Sequence, residues 1–317
     1  MKVSTYLREW LRGKAPDLRR STYEAYTIYI EKQIAPYFDE LGRELEDLRP
    51  LDVHGYVVAK RNGGRKDGKP GGLAAISVRK HLNILKQALR EAVLLEIIPA
   101  SPAEPVRLPR IPERTEPAHP VTAEDARAIL AVMEGTDLYP VVLVTLYYGL
   151  RRSEVLGLRW SAVSFSENTI AIRHTVVKNL TIEAADQTKT ASSRRTFPLL
   201  PEVRAVLSEL PRRDRDGYLF TRANGEPMRP DTLTRSFQRA LRRAGIPRMR
   251  FHDLRHATAT ILFDRGWSVP DVQHWLGHAD IDTTMNIYVA YSRTRPLALG
   301  GTLCGLFADS PEKKRGR

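Results

Sequence analysis

The sequence has little cysteine and no long hydrophobic run. Among 317 residues there is one cysteine, Cys304, so no intramolecular disulfide can form, as is usual for proteins of a reducing compartment. No run of 18 apolar residues is present, and the polar start is unlike a signal peptide. We therefore expect a cytoplasmic protein that has no membrane-spanning helix.

Acidic residues are also too few to balance the basic ones. The chain has 50 Lys and Arg against 37 Asp and Glu, a formal net charge of +13. Such an excess favours a polyanionic partner, nucleic acid before a membrane surface. Charge alone leaves open a basic protein without such a partner.

Proline marks the clearest boundary in the chain. Residues 107–120 contain four prolines, which forbid a helix and favour an extended linker. The linker separates a first domain, residues 1–106, from a second, residues 121–296. Residues 297–317 form a C-terminal tail.

Apolar periodicity predicts a mainly α fold. The first domain shows a helical pattern at its start and over residues 21–38, 50–59 and 76–97, which predicts a four-helix domain. The second opens with a helix that Thr122 can cap. It continues as helices except for β-like runs at residues 169–177, 180–188 and 194–199. We therefore predict a mostly α second domain with a small three-stranded antiparallel sheet.

A glycine-rich basic segment, residues 60–72, connects the third and fourth helices of the first domain. Its composition cannot form a packed core. It is either a solvated loop or a segment that follows DNA phosphates. The basic residues that would then contact DNA, together with two at the start of the next helix, are Arg61, Arg65, Lys66, Lys69, Arg79 and Lys80.

Two arginine-containing motifs carry the first chemical signal. His252, Arg255 and His256 have the spacing of one helix face, and the planar guanidinium suits two phosphate oxygens. Upstream, Gly149 ends a helix and Arg151 begins another, where a helix N-terminus favours an anion. Glu154, one turn on, can hold the Arg151 guanidinium in place. The alternative for the His252 motif is a surface cluster neutralised by Asp253.

Three further residues complete a chemical set. Lys189 precedes a turn, where an ammonium group could protonate a leaving alkoxide or simply remain solvated. His278 follows a glycine that looks like a helix end. Tyr288 lies ten residues beyond it, and a phenol near fixed cations is suited to attack a phosphodiester. Tyr291, one turn later, is the rival phenol.

The histidines also allow a metal interpretation. His252 with His256, and His274 with His278, are pairs spaced four apart that could bind zinc. Neither pair has the glutamate of a His-Glu-x-x-His motif, and zinc would leave the arginines and Tyr288 unexplained. We therefore predict no metal.

Taken together, these motifs resemble the tyrosine recombinase (phage integrase) family over residues 1–295. The family pattern of Arg, Lys, His-x-x-Arg, His and Tyr falls on Arg151, Lys189, His252, Arg255, His278 and Tyr288. Glu154 matches the acidic residue after the first arginine, and His256 becomes a supporting residue. Acidic residues ahead of Lys189 make Lys178 its fallback. The first domain is similar to the family's core-binding (SAM-like) domain, whereas for the additional arm-binding domain of many phage integrases we expect no counterpart in this sequence.

The resemblance implies a site-specific DNA recombinase that works through a 3′-phosphotyrosine intermediate and needs no cofactor. Its function would be DNA integration, excision or resolution, carried out by a homotetramer on two synapsed double-stranded sites. It would act at the nucleoid, with an accessory protein setting direction and residues 297–307 docking on a neighbouring protomer. Two alternatives use the same scaffold: a type IB topoisomerase-like enzyme and a catalytically silent DNA-binding regulator.

Overall fold

The structure is a computed structural model that describes residues 1–65, 68–110, 121–178, 182–185, 194–211, 216–222 and 226–292. The chain forms two compact units, Met1–Glu116 and Pro117–Arg317. Lys66, Lys189, the C-terminal tail and residues 111–120 of the predicted linker lie outside the described residues. Within the described part of the chain, no helix is long and apolar enough to cross a membrane.

The first unit is helical, and its described part contains the four expected helical segments. A short π-helical turn at Ile30–Ile34 joins two helices into the second segment. The helices are α1 (Val3–Lys14), α2 (Arg20–Tyr29), α3 (Ala35–Leu41), α4 (Pro50–Gly63) and α5 (Ala75–Leu94). Helix α4 runs four residues beyond the predicted end, because Gly63 and Gly64 are the first helix-breaking residues after Ala59.

Regular spacing of apolar side chains explains how this unit packs. Val78, Leu82, Leu85 and Leu89 are fully buried along one face of α5. They follow the three- and four-residue spacing that places side chains on the same side of a helix. Their burial against α1 and α4 residues forms a single apolar core.

A polar pair is buried inside this core. His81 is 1% exposed, and its Nδ1 lies 2.9 Å from the Tyr56 hydroxyl. The Tyr29 ring packs on His81 with centroids 4.9 Å apart. Burial, with a smaller contribution from the positive charge of Lys60, lowers the pKa of His81 to about 4. The ring is therefore neutral in the native protein at neutral pH.

This lowered pKa predicts a loss of stability in acid. An unfolded histidine has a pKa near 6.5, so below that pH the unfolded chain binds a proton that native His81 does not. The free energy of unfolding should therefore fall as the pH drops from about 6.5 towards 4. His81→Gln, which keeps a polar side chain for Tyr56, should lose about 2 kcal/mol less than wild type between pH 7 and 4.5. Urea denaturation at a series of pH values measures this difference; equal losses in both proteins would contradict it.

The second unit is built around a buried helix. α7 (Tyr139–Tyr148) is apolar on nearly every side and packs against α6, α9 and α11. Thr122 caps α6 as predicted, since its hydroxyl accepts from the Asp125 N–H at 3.1 Å. The other α-helices of the described part are α6 (Ala123–Met133), α8 (Arg152–Leu156), α9 (Pro201–Glu209), α10 (Pro230–Arg243), α11 (Asp253–Asp264), α12 (Val269–Leu276) and α13 (Ile281–Ser292).

A small three-stranded antiparallel sheet is present, as predicted, but its strands differ from the expected ones. Its order is β1 (Val163–Ser164), β2 (Thr169–Ile172), β5 (Arg195–Pro198), with Ile170 opposite both Val163 and Phe197. The run predicted at residues 180–188 contributes instead to a separate hairpin of β3 (Thr175–Lys178) and β4 (Ile182–Ala185).

The backbone between β2 and β3 packs closely against the end of α8. The single run predicted at residues 169–177 is interrupted at Arg173 and His174. A Cβ atom on Gly157 would lie 2.5 Å from the His174 carbonyl oxygen. The chain thus leaves β2 to pack its backbone against the end of α8, where only glycine leaves room.

Candidate active site

A glycine turn positions the first arginine of the site. α7 ends at Gly149, which has a left-handed backbone with φ +60. A Cβ atom there would overlap Leu276 Cδ2, so a larger residue would force the leucine side chain at the end of α12 to move. The chain then re-enters a helix, and Arg151 becomes the N-terminal flanking residue of α8.

Gly149→Ala should therefore destabilise the protein through both strain and overlap. We expect a loss of about 2–4 kcal/mol, from a left-handed alanine plus a methyl group forced against Leu276. Gly135→Ala is the matched control, because Gly135 also has positive φ (+70) but no atom near its Cβ position. Chemical denaturation should show a clearly smaller loss for Gly135→Ala. Equal losses would mean that the overlap with Leu276 is relieved without cost.

The Arg151 guanidinium is held from two sides. Nη1 donates to Glu154 Oε1 at 2.6 Å, and Nη2 donates to the Gly277 carbonyl at 2.9 Å. Glu154 Oε2 also accepts from the Arg151 backbone N–H at 2.9 Å. The carboxylate thus holds the guanidinium in place, as expected from the spacing, and the end of α12 fixes its other side.

Glu154 is the centre of a cluster of three guanidinium groups. Its carboxylate is almost fully buried and lies 3.1 Å from Arg195 Nη2 and 3.8 Å from Arg255 Nη1. Burial by itself would raise the pKa of Glu154, but the charges of Arg195 and Arg151 outweigh burial and lower it. Glu154 is therefore ionised, and the cluster carries more positive than negative charge.

Arg255 is the most buried of these arginines. It is 1% exposed, and its Nη1 donates to the Gly149 carbonyl at 2.7 Å. Its Nη2 has no hydrogen-bond partner among the described residues. Burial, followed by repulsion from Arg151, lowers the pKa of Arg255 to about 9. A bound anion would favour the charged guanidinium and so offset this shift.

His278 contacts Arg255 directly. Arg255 Nε donates to His278 Nε2 at 3.3 Å, and His278 Nδ1 lies 2.7 Å from Thr284 Oγ1. Because the guanidinium can only donate, Nε2 must be the unprotonated nitrogen here, and Nδ1–H donates to the threonine. Burial and the charges of Arg255 and Arg151 lower the pKa of His278 to about 3. The ring is neutral in the free protein.

The other two histidines lie at the N-terminal end of α11. His252 and His256 have ring centroids 5.0 Å apart, in an edge-to-face arrangement. Loss of hydration, with smaller contributions from His256 and Arg255, lowers the pKa of His252 to about 4, although part of this residue is exposed. His252 is therefore a neutral imidazole that solvent can reach.

Packing distinguishes the two tyrosines that the sequence left as rivals. Tyr291 is 6% exposed, and its hydroxyl donates to Asp264 Oδ1 at 2.8 Å. Tyr288 is 39% exposed, and its ring packs edge-on against Phe263. Both lie on α13, which also carries Thr284, the partner of His278. Tyr288 is the more accessible phenol of the two.

The two histidine pairs considered as zinc ligands, His252 with His256 and His274 with His278, differ in geometry. α12 ends at Leu276, and Gly277 turns the chain with φ +67. His274 is therefore exposed on the helix, whereas His278 is buried beyond its end. The two imidazoles do not lie one turn apart on a common helix face, which a pair of zinc ligands four residues apart would require.

The remaining predicted residues have varied surroundings. Lys178, the alternative to Lys189, is the last residue of β3. The exposed Arg61 donates to the Leu73 carbonyl at 3.1 Å. The other described residues predicted to contact DNA are Arg65, Lys69, Arg79 and Lys80; Arg65 and Lys80 are exposed, and Arg79 is half-buried near the start of α5.

Sequence reasoning missed two residues of the site. Arg195 is the first residue of β5, and Thr284 lies one helical turn before Tyr288. A signal for Arg195 was present. Residues two apart in a strand share a face, and Phe197 is an obvious core residue, so Arg195 is expected on the same inward face. A signal for Thr284 was the four-residue spacing to Tyr288.

The geometry indicates a class of protein, an enzyme that attacks a phosphodiester. Such an enzyme needs cations for the phosphate and a nucleophile. The site has three arginines around a buried carboxylate, neutral histidines beside them, and an accessible tyrosine on an adjoining helix. Sequence profiles agree. The Phage integrase family matches residues 120–295, and the Phage integrase, N-terminal SAM-like domain, matches residues 2–60. The chain belongs to the phage integrase family. It is a tyrosine recombinase, an enzyme that cuts and rejoins DNA strands, which confirms the family and function predicted from its motifs.

Individual relatives support the same assignment. The chain is 30% identical to the tyrosine recombinase XerC of Mesorhizobium japonicum over 312 residues, which covers 92% of each protein. It is 30% identical over 190 residues to a tyrosine recombinase XerC-like protein of Caldanaerobacter subterraneus subsp. tengcongensis, across 52% of this chain and 48% of that protein.

Solved structures share the fold. The Tn1549 transposon integrase in complex with transposon right end DNA superimposes with a TM-score of 0.74 at 21% identity, covering 95% of this chain and 100% of that one. A lambda integrase tetramer bound to a Holliday junction gives a TM-score of 0.67 at 18% identity, over 88% of this chain and 78% of that one. These similarities confirm the predicted mainly α fold.

Proposed function

We propose that this recombinase performs site-specific strand exchange on duplex DNA, with Tyr288 as the nucleophile. The observation that carries the proposal is the cluster of Arg151, Arg195 and Arg255 around the single carboxylate of Glu154. Three positive charges against one negative charge leave a net charge of +2. A phosphodiester is an anion that such a cluster would hold, and the accessible Tyr288 supplies the attacking phenol.

In the cleavage step, the Tyr288 oxygen attacks phosphorus and its proton is released. The bond from phosphorus to the 5′ oxygen breaks, and that oxygen takes up a proton to leave as a 5′-hydroxyl. The product is a 3′-phosphotyrosine. Reversal of the step by a 5′-hydroxyl from a partner strand joins the new strands. Because the covalent link conserves the phosphodiester energy, the exchange needs neither ATP nor a cofactor.

Arg151 and Arg255 are proposed to donate to the non-bridging oxygens of the scissile phosphate. Both are fixed before DNA arrives, Arg151 by Glu154 and Gly277, and Arg255 by Gly149. Such preorganised donors stabilise developing charge because no reorganisation is needed during the reaction. His278 completes this group: a phosphate nearby raises the pKa of the imidazole and so favours protonation of Nε2. The protonated Nε2 gives up its hydrogen bond from Arg255 Nε and donates to the phosphate instead.

Proton transfer is assigned to Lys189 and His252. Lys189 would protonate the leaving 5′ oxygen, and Lys178 is the alternative for this role. His252 is a neutral, accessible imidazole, and a neutral imidazole can accept the phenol proton of Tyr288. His256 supports His252 through the contact between their rings.

The assembly is proposed by comparison with the family. A homotetramer on two synapsed DNA sites would follow the lambda integrase tetramer on a Holliday junction. The first domain would bind core DNA through its basic residues, and residues 297–307 would dock on a neighbouring protomer. An accessory protein would set direction, and the enzyme would act at the nucleoid in integration, excision or resolution.

A DNA substrate can be obtained without knowing the natural site. Duplexes enriched by repeated binding selection would be rebuilt with a nick next to each candidate scissile phosphate, so that the released fragment diffuses away. The proposal predicts a covalent protein–DNA adduct, formed equally in excess EDTA, and recombinant joints only when two copies of the site are present. Relaxation of supercoiled plasmid lacking the site would indicate a topoisomerase, and binding without adduct would indicate a regulator.

A further inference from the structure

Arg195 occupies the site without a role in the mechanism described so far. Its side chain is 6% exposed, and Nη2 donates to Glu154 Oε2 at 3.1 Å. Its guanidinium also lies 5.5 Å from the centre of the Phe197 ring, on the same face of β5. The strand therefore directs the Arg195 side chain into the protein, and the salt bridge between Arg195 and Glu154 connects the sheet to α8.

The contacts of Glu154 indicate what Arg195 supplies. Glu154 binds Arg151 through Oε1, while Arg195 and Arg255 approach Oε2. Without Arg195, the carboxylate would cancel one of the two arginines proposed to hold the phosphate, and the net charge of the cluster would be +1. With Arg195, the net charge is +2.

This difference matters most in the transition state. A phosphodiester carries one negative charge, and attack by a phenolate oxygen adds a second to the pentacoordinate phosphorus group. Groups that are complementary to the charge that develops in the transition state accelerate the reaction. A cluster of net charge +2 matches that transition state, and one of +1 matches only the ground state.

We infer that Arg195 is a positioning and charge-balancing residue for DNA cleavage: it holds the Glu154 carboxylate and offsets its charge, so that Arg151 and Arg255 both act on the phosphate. This inference rests on the proposed function. Arg195 acts through Glu154 and does not touch DNA.

Single-turnover cleavage of the selected nicked duplex tests the inference. Arg195→Gln should lower the cleavage rate constant at saturating protein by about 10–10²-fold, by analogy with loss of a preorganised charge-stabilising group. Arg195→Lys should restore most of the rate. Arg194→Gln is the matched control, since Arg194 is the preceding residue and is exposed; its rate should stay close to that of wild type.

A double variant separates charge balance from a structural role. Glu154→Gln together with Arg195→Gln removes one negative and one positive charge and restores a net +2, while the glutamine oxygen can still accept from Arg151. We expect this double variant to cleave faster than Arg195→Gln alone. It also removes the buried negative charge that has lost one of its arginine partners in the single variant, which would make that variant less stable.

A substrate with a methylphosphonate at the scissile position gives a second readout. It replaces one non-bridging oxygen by a methyl group, so its transition state carries one negative charge less. The deficit of Arg195→Gln should shrink on this substrate. Equal deficits on both substrates, or a double variant slower than Arg195→Gln, would overturn the inference. Absence of adduct with wild-type protein would instead refute the proposed function.

Discussion

Tyr288→Phe is expected to abolish the covalent protein–DNA adduct. The change removes one oxygen, and that oxygen is the proposed nucleophile, so the cleavage rate should fall by about 10³-fold or more. The phenylalanine ring keeps the edge-on packing against Phe263, and the fold should be unaffected. Denaturing gel electrophoresis of the protein with labelled nicked DNA measures the loss.

Tyr291→Phe is the matched control on the same helix. It breaks the bond from the Tyr291 hydroxyl to Asp264 and should cost about 1–2 kcal/mol of stability. Adduct should still form, because this hydroxyl is buried and takes no part in the attack. If adduct survives in Tyr288→Phe and disappears in Tyr291→Phe, the assignment of the nucleophile is wrong.

Removal of either phosphate-binding arginine is expected to slow cleavage far more than it weakens DNA binding. Arg151→Ala and Arg255→Gln should each lower the cleavage rate constant by about 10²-fold or more, the usual effect of losing one preorganised donor. DNA affinity should change much less, because many basic side chains share the contacts to phosphates. Rates at saturating protein and equilibrium binding by fluorescence anisotropy separate the two effects.

Arg152→Ala provides the comparison for Arg151→Ala. The two arginines are adjacent in sequence, but Arg152 donates to Thr234 and the Pro230 carbonyl and lies outside the Glu154 cluster. Its removal should leave the cleavage rate within about threefold of wild type, as for an arginine remote from the developing charge. A loss of binding as large as the loss of cleavage in Arg151→Ala would contradict its assigned role.

Local chemistry made much of the fold predictable. Gly149 ends α7 because a left-handed residue terminates a helix, and Thr122 caps α6 with the Asp125 N–H. The contact between Arg151 and Glu154 was predictable for the same reason, since residues three apart meet on one side of a helix turn. Each of these features depends on residues less than one turn apart.

Features that depend on distant residues could not be predicted in this way. Tyr288 and Tyr291 are equivalent in a helical pattern, and only the burial of Tyr291 against Asp264 distinguishes them. The pairing of β5 with β2 depends on where the chain leaves β2, which involves the close approach of His174 to Gly157. Arg195 joins Glu154 across 41 residues of sequence, so strand alternation indicates its direction but not its partner.

The central claim is that DNA becomes linked to Tyr288 through a 3′ phosphate, and the chemistry of the trapped adduct tests it most directly. Trypsin releases residues 266–293 as one peptide that contains both Tyr288 and Tyr291. Fragmentation of that peptide by mass spectrometry should place a nucleotide on Tyr288, joined through its 3′ phosphate, with a 5′-hydroxyl on the released strand. A nucleotide on Tyr291, a 5′ linkage, or cleaved DNA with no covalent peptide would contradict the account.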